Sequence, residues 1–236
     1  IGVIGGGAIA QVHHLPFLTE LAEEFDVRVV CDISRQLAEH DAEWFHIHKA
    51  VTDYRDVLGS DIDAVLLCQT DPKTDIAIAA FNAGKHVFIE KPICFSMREI
   101  DAMINAARRS GKVAQAGYVK LFEPAFEAAR REVSSIEDVR FVQVNHLHPD
   151  NALHVRQFRT RKFDDIPAKA VEEIRKARKA AVNEAIGEVP PQAERAFGTL
   201  SGSLIHDLYG LRALFGNPSR VAHTEIWQEG HAITTI

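Results

Sequence analysis

The sequence predicts an α/β protein whose first half is a doubly wound parallel sheet and whose second half builds a separate layer. Three observations carry this. Through residue 118, short apolar runs alternate with segments of helical period. Those runs are apolar on both faces, the habit of strands in a parallel sheet covered by helices on either side. After Gly117 the pattern changes to a longer strand of mixed faces and a long charged helix. The division falls between residues 1–118 and 119–236.

The strands of the first half are Ile1 to Ile4, Val27 to Cys31, Ala64 to Cys68, His86 to Ile89 and Val113 to Ala116. Between them lie helices at Ala8 to Phe25, Arg35 to Trp44, Pro72 to Ala83 and Met97 to Ser110. Asp71 supplies an N-cap, with Pro72 at the first helical position. Gly84 and Gly111 fall where left-handed residues close helices. Right-handed crossovers then wind the sheet twice. Beyond Gly117, Glu123 to Val133 reads as a helix and Val139 to Leu147 as a strand. A polar, arginine-rich stretch follows from Asn151 to Lys162. Pro167 to Ile186 is a helix ended by Gly187 and Pro190-Pro191, with a modest stripe of Val171, Ile174, Ala181, Val182 and Ala185. It reads as a solvated surface helix, with a lid or subunit contact as the alternative. A last helix spans Ser203 to Phe215, its buried side marked by Leu204, Leu208, Leu211 and Phe215.

Hydrophobic residues make up 46% and charged residues 25% of the 236-residue chain, as in globular proteins. Net charge is -6 with the signs mixed. A nucleic-acid partner would call for a basic stripe, and none is present. No apolar run reaches the ~18–20 residues of a membrane span. Cys31, Cys68 and Cys94 are odd in number and lack metal-ligand spacing, so they read as reduced thiols of a cytoplasmic protein. Each is expected to act as a small buried hydrophobe. The chain opens on Ile1 inside a strand and stops on the apolar run Ala232 to Ile236, which suggests a piece of a longer protein.

Gly5-Gly6-Gly7-Ala8-Ile9-Ala10 fits the G-x-G-x-x-A fingerprint of a dinucleotide site. Gly5 permits the tight turn, Gly7 lets the backbone approach a pyrophosphate, and Ala10 allows close helix–strand packing. The helix N-terminus at Ala8 and Ile9 then offers N–H groups to the phosphates. Asp32, 22 residues past Ala10, stands where an acid accepts bonds from a ribose diol. A carboxylate there favours NAD over NADP. Ser34 and Arg35 pull the other way, since Arg35 can pair with a 2′-phosphate or stack on adenine. Gln69-Thr70 end the strand at Ala64 to Cys68, and Thr70 is a candidate cofactor contact on the crevice side of the sheet. Glu90-Lys91-Pro92 end the next strand, and Lys91 sets an ammonium near the reactive end of the dinucleotide, with Glu90 beside it.

These residues resemble the glucose–fructose oxidoreductase, inositol dehydrogenase and MocA family. The resemblance rests on the opening glycines, Ala83-Gly84-Lys85-His86-Val87-Phe88-Ile89-Glu90-Lys91-Pro92, Gly117-Tyr118, Glu123-Pro124-Ala125, and Ile205-His206-Asp207 ahead of Leu214-Phe215-Gly216. It implies an N-terminal Rossmann domain and a C-terminal domain on an open, mostly antiparallel sheet. It also implies NAD or NADP as cofactor, a sugar, inositol or related polyol as substrate, and homo-oligomers formed through the open sheet face. Carried over residue by residue, Lys91 matches the lysine beside the nicotinamide and the reacting hydroxyl, and His206 the acid/base histidine. The family's aspartate four residues before that histidine is replaced by Gly202. Asp207 projects about 100° away on a helix and is no direct substitute. Asp75 stands where the family often has histidine, and residues 167–186 look inserted.

The chemistry this implies is reversible hydride transfer at a carbinol carbon. Neutral His206 would take the hydroxyl proton, its ordinary pKa being about 6.5, and Lys91 would stabilise the developing negative charge. Tyr118, Lys120, Asp207, His206 and Lys91 are the candidate substrate contacts, with a packed core position as the alternative for Tyr118. The missing aspartate also leaves open a regulatory NAD-binding protein, or an enzyme that uses transient oxidation for elimination, epimerisation or glycoside cleavage. His146 and His148 alternate on one strand face near His154. Three histidines can bind zinc, but no spacing compels it, and no metal site is expected. His13 and His14 read as packing or surface residues.

Overall fold

Six strands line up in parallel: Gly2–Ile4 (β1), Val29–Cys31 (β2), Lys49–Val51 (β3), Ala64–Leu67 (β4), His86–Ile89 (β5) and Ala114–Ala116 (β6). Their order is β3-β2-β1-β4-β5-β6. Val3 of β1 registers with Val30 on one side and Leu66 on the other. The computed structural model describes residues 1–147 and 151–236; His148 therefore lies outside the described residues. The chain forms two compact units, Ile1–Ala116 with Asp150–Ala185, and Gly117–Pro149 with Ile186–Ile236.

Alternation along each strand sends side chains to opposite faces, and both faces are buried. Ile4, Val29, Val65, Leu67 and Val87 pack on one side with Phe81 and Met103. Val3, Val30 and Leu66 pack on the other with Ala10 and Leu15. The helices that cover these faces follow the strands: α1, a π-type turn Ala10–His14 running into Leu15–Glu20; α2, Arg35–Trp44; α3, Tyr54–Leu58; α4, Thr74–Asn82; and α5, Met97–Ser110. A Ser96–Glu99 capping box opens α5, and Gly111 at φ +65° closes it. Such a left-handed cap is cheap only for glycine.

Several expectations need correction. α1 stops at Glu20 rather than Phe25, and residues 21–24 form turns. The short strand Lys49–Val51 and helix α3 lie where the sequence offered no clear pattern. Asp71 does not cap α4. That helix starts at Thr74, the Asp71–Pro72 bond is cis, and the Asp71 carboxylate takes the Lys73 ammonium at 2.5 Å.

Two further helices belong to the first unit, α7, Asn151–Val155, and α8, Ala168–Ile186, whose final residue falls in the second. α8 buries only Ala181 and Val182. Arg98 of α5 pairs with its Glu184. The rest of its stripe stays partly or largely exposed, Val171 at 49%, in keeping with a surface helix.

The second unit holds α6, Pro124–Ser134, α9, Pro191–Thr199, and α10, Ile205–Phe215, the last two joined by a π-type turn at Leu200–Leu204. Its sheet is the antiparallel pair Thr224–Trp227 (β7) and Ala232–Thr235 (β8). Residues 139–147 carry no regular structure, contrary to the expected strand. A strand needs a hydrogen-bonding neighbour, and β7 and β8 pair with each other. The buried side of α10 also differs from expectation: Tyr209 and Gly210 are buried, while Leu208 and Phe215 are 46% and 41% exposed. The Tyr209 ring stacks on Tyr118 at 4.4 Å, so an aromatic pair rather than the leucine stripe sets the inward face. Among the described residues, no helix is long and apolar enough to cross a membrane.

Candidate functional site

The glycine turn follows β1 at the point where the strand order reverses, between β1 and β4. In doubly wound sheets that point receives the ligand. Gly5 has φ +96°, and a Cβ on it would lie 2.3 Å from the Gln69 backbone nitrogen. Both facts require glycine. Gly7 differs: a Cβ there would meet nothing within 4 Å, so packing within the fold does not demand glycine at this position. Ala10 is fully buried against the sheet. The Gln11 N–H donates to Gly7 O at 3.1 Å as the first helical bond. The N–H groups of Ala8 and Ile9 precede it and have no carbonyl one turn back.

Asp32 ends β2 and binds this turn. Its Oδ2 accepts the Gly6 N–H at 2.9 Å and its Oδ1 the Ser34 N–H at 2.9 Å. Burial raises its carboxyl above the ordinary range, opposed by those two bonds. The carboxylate thus fixes the loop and keeps further lone pairs for a ribose hydroxyl. Arg35 begins α2 with its side chain exposed and Glu39 at 3.9 Å.

A second corner forms at the ends of β4 and β5. Thr70 is exposed. Neighbouring Gln69 carries a buried side-chain amide whose nitrogen and oxygen both lack a partner among the described residues. Leaving such groups unpaired costs roughly 1–3 kcal/mol. The sequence reading did not single out this residue. An orphaned amide beside a glycine turn that permits close backbone approach fits a dinucleotide site.

Glu90, buried, accepts the Lys91 N–H at 3.0 Å and takes His14 Nε2 on its other oxygen at 2.7 Å. Burial alone would raise the Glu90 carboxyl, but the His14 bond and the Lys91 contacts carry it below its ordinary value. His14 is therefore a structural partner of the Glu90-Lys91 corner, not a plain surface residue. Lys73, buried, ties the same corner to α4 by donating to Pro92 O at 3.1 Å. The Lys91–Pro92 bond is cis.

In the second unit, the Tyr209 hydroxyl accepts the Lys120 N–H at 3.3 Å and lies 2.8 Å from His206 Nδ1. With Tyr118 stacked on Tyr209, the candidates Tyr118, Lys120 and His206 gather on one aromatic ring. Asp207 faces elsewhere. Its Oδ2 holds His146 Nδ1 at 2.5 Å, and His146 Nε2 meets Ser203 Oγ at 2.9 Å. An ionised carboxylate only accepts, so Asp207 sets the proton of His146 on Nδ1. That gives the unit a second oriented imidazole. A Cβ on Gly202 would meet nothing within 4 Å.

All three thiols are free. Burial pushes Cys31 up to about 12 and Cys94 up to about 11, and raises Cys68 further still. Among the described residues, no group of three or more His, Cys, Asp or Glu side chains is arranged to hold a metal ion.

The strand order, the glycine turn and the acid at the end of β2 define a nucleotide-binding Rossmann domain. Family comparison agrees: the model described as "Oxidoreductase family, NAD-binding Rossmann fold" (GFO_IDH_MocA) matches residues 1–118. The chain belongs to this family. It is 30% identical over 138 residues to the "Uncharacterized oxidoreductase YrbE" of Bacillus subtilis, covering 58% of this chain and 40% of that one. It is 28% identical over 163 residues to the inositol 2-dehydrogenase of Salmonella typhimurium, covering 67% and 48%. Among solved structures it resembles KijD10, a 3-ketoreductase from Actinomadura kijaniata in complex with NADP, with TM-score 0.52, 26% identity and coverage of 56% and 42%. The chain thus spans less than half the length of these relatives.

Proposed function

We propose that this chain is part of an NAD(P)-dependent oxidoreductase that moves a hydride between the nicotinamide and a hydroxyl-bearing carbon of a sugar, inositol or related polyol. Residues 1–118, with α7, α8 and the stretch between them packed in the same unit, are the dinucleotide-binding domain, and the remainder of residues 119–236 the substrate-binding and oligomerisation region of a cytoplasmic homo-oligomer. The observation that carries the reading is that the Gly5–Gly7 turn and the Lys91 corner stand at the C-terminal edge of one sheet. Bound there, the dinucleotide would supply the hydride acceptor or donor. Gly5, Gly7, Ala8 and Ile9 would hold its phosphates, Asp32 and Arg35 its adenosine end, and Thr70, Glu90 and Lys91 its reactive end. Lys91 would hydrogen-bond the reacting oxygen and stabilise negative charge on it. His206 would take or return the hydroxyl proton, its ring oriented by Tyr209. Tyr118 and Lys120 would complete the substrate contacts, with Asp207 acting only through the His146 ring that it holds.

The alternative, a dinucleotide-binding protein without net redox turnover, or one that oxidises transiently, is favoured only by Gly202 at the aspartate position. Cyclitols, sugars and glycosides screened for reduced-nicotinamide absorbance, with product analysis, separate the readings. Lys91→Ala and His206→Ala should lower kcat by about 10²–10⁴ while the dinucleotide still binds. Tight dinucleotide binding with no substrate altered, and no effect of either variant, would sink the enzyme reading.

A further inference from the structure

The stretch between α7 and α8 lies against the nucleotide turn. Gln11 of α1, buried, donates from Nε2 to Gly6 O at 2.8 Å and to Arg161 O at 3.1 Å. Its Oε1 accepts the Arg161 N–H at 2.7 Å. One buried amide thus joins the phosphate turn to a segment 150 residues away. Phe158 approaches the His13 ring and Phe163 the His40 ring, which seats the same segment on α1 and α2.

Four residues beyond Arg161, this segment delivers Asp165 to the first turn of α2. One carboxylate oxygen accepts the Ser34 hydroxyl, and the other accepts the Gln36 N–H at 2.9 Å. Ser34 is the N-cap of α2 and is 1% exposed. Its own N–H goes to Asp32 Oδ1. The two carboxylates therefore share one residue, Ser34, as donor.

In a Rossmann domain the end of β2 meets the adenosine ribose, and a 2′-phosphate, where present, lies just beyond it. The donors such a phosphate needs are a hydroxyl and free N–H groups at a helix start. Asp165 already uses the Ser34 hydroxyl and the Gln36 N–H. It also adds a second negative charge next to Asp32. Arg35 opposes this as a neighbouring cation, but its side chain is 70% exposed and has Glu39 as its neighbour.

We infer that Asp165 is a specificity-determining residue of the nucleotide site, standing in the place of a 2′-phosphate and selecting dinucleotides with a free ribose 2′-hydroxyl. This rests on the dinucleotide reading above. The device is local to the chain: a carboxylate from the 156–167 segment gives the helix start the anion it favours and turns away a second one. A unit charge left beside a phosphate dianion, even in water-like dielectric, alters binding by about tenfold or more. Salt should shrink that factor.

The test is calorimetric titration of the protein with adenosine 5′-monophosphate and adenosine 2′,5′-bisphosphate, and then with NAD and NADP, at low and high salt. Wild type should prefer the monophosphate and NAD. Asp165→Ala should raise affinity for the bisphosphate and NADP about tenfold or more, and leave the monophosphate and NAD within about threefold. Asp165→Asn, which keeps the side-chain shape, should move the ratio the same way and covers the case in which the alanine variant does not fold. Asp164→Asn should change nothing. The inference fails if wild type binds the bisphosphate as well as the monophosphate, or if the variants shift both ligands equally. Monophosphate binding with an unmoved ratio overturns this inference alone. No binding of any nucleotide to wild type overturns the dinucleotide reading with it.

Discussion

Asp41→Asn should stabilise the protein near neutral pH and do little in acid. The Asp41 side chain is fully buried on α2. Its Oδ1 lies 3.1 Å from His40 Nδ1, while its Oδ2 has no partner among the described residues. Oδ2 also lies 2.3 Å from where a Cβ on Gly6 would sit, directly behind the nucleotide turn. Burial raises this carboxyl from 3.8 to about 6, against the pull of His40. Below the unfolded value both states hold the proton, and ionisation costs nothing. As pH rises towards the folded value, the unfolded chain ionises first and folding loses stability, until the loss levels off above it. At 1.36 kcal/mol per pKa unit, the span between those two values sets a ceiling of about 3 kcal/mol. The pull of His40 is already contained in the folded value, so the ceiling corresponds to at most ~6–12 °C in Tm for a chain of this size. Asparagine removes the titration. Scanning calorimetry of both proteins at intervals from pH 4.5 to 8 should show the variant's advantage open between pH 4.5 and 6 and stay level above. A gap that does not change with pH, or a less stable variant at pH 7.5, would refute the reasoning.

Gly5→Ala should cost about 2–4 kcal/mol in urea unfolding, since it adds a left-handed penalty to a backbone clash; a cost under 1 kcal/mol would contradict the turn geometry. Cys31, Cys68 and Cys94 should react slowly with a thiol reagent at pH 7.5 and quickly in urea, because burial keeps the thiolate scarce; a fast native phase would contradict their placement. Arg98→Ala should shift stability by no more than about 1 kcal/mol, since the ion pair with Glu184 is largely solvated.

The sequence made the sheet readable because its inner strands are apolar on both faces and end in glycine or proline punctuation. β3 escaped for the opposite reason: three residues long, at the sheet edge, with Lys49 exposed, it offers no apolar run. α10 misled because leucine spacing is a rule about averages, whereas the Tyr209–Tyr118 stack is a particular contact. The glycines and Asp32 were legible because their chemistry is local to one turn. Gln69, Lys73 and His14 were not, since a buried polar residue is recognisable only once its neighbours are known. Asp165 is the extreme case: its partner Ser34 lies 131 residues away, and nothing near it in sequence marks the pairing.

The claim on which the rest depends is that the backbone of the glycine turn receives a dinucleotide's diphosphate. Gly7 isolates it, because a Cβ there meets nothing within 4 Å in the folded chain yet would stand in the path of the phosphates. Calorimetric titration with NAD should show binding by wild type and a loss of about tenfold or more in Gly7→Ala, with Tm changed by no more than about 2 °C. Equal affinity in the two proteins, or none in wild type, would contradict it.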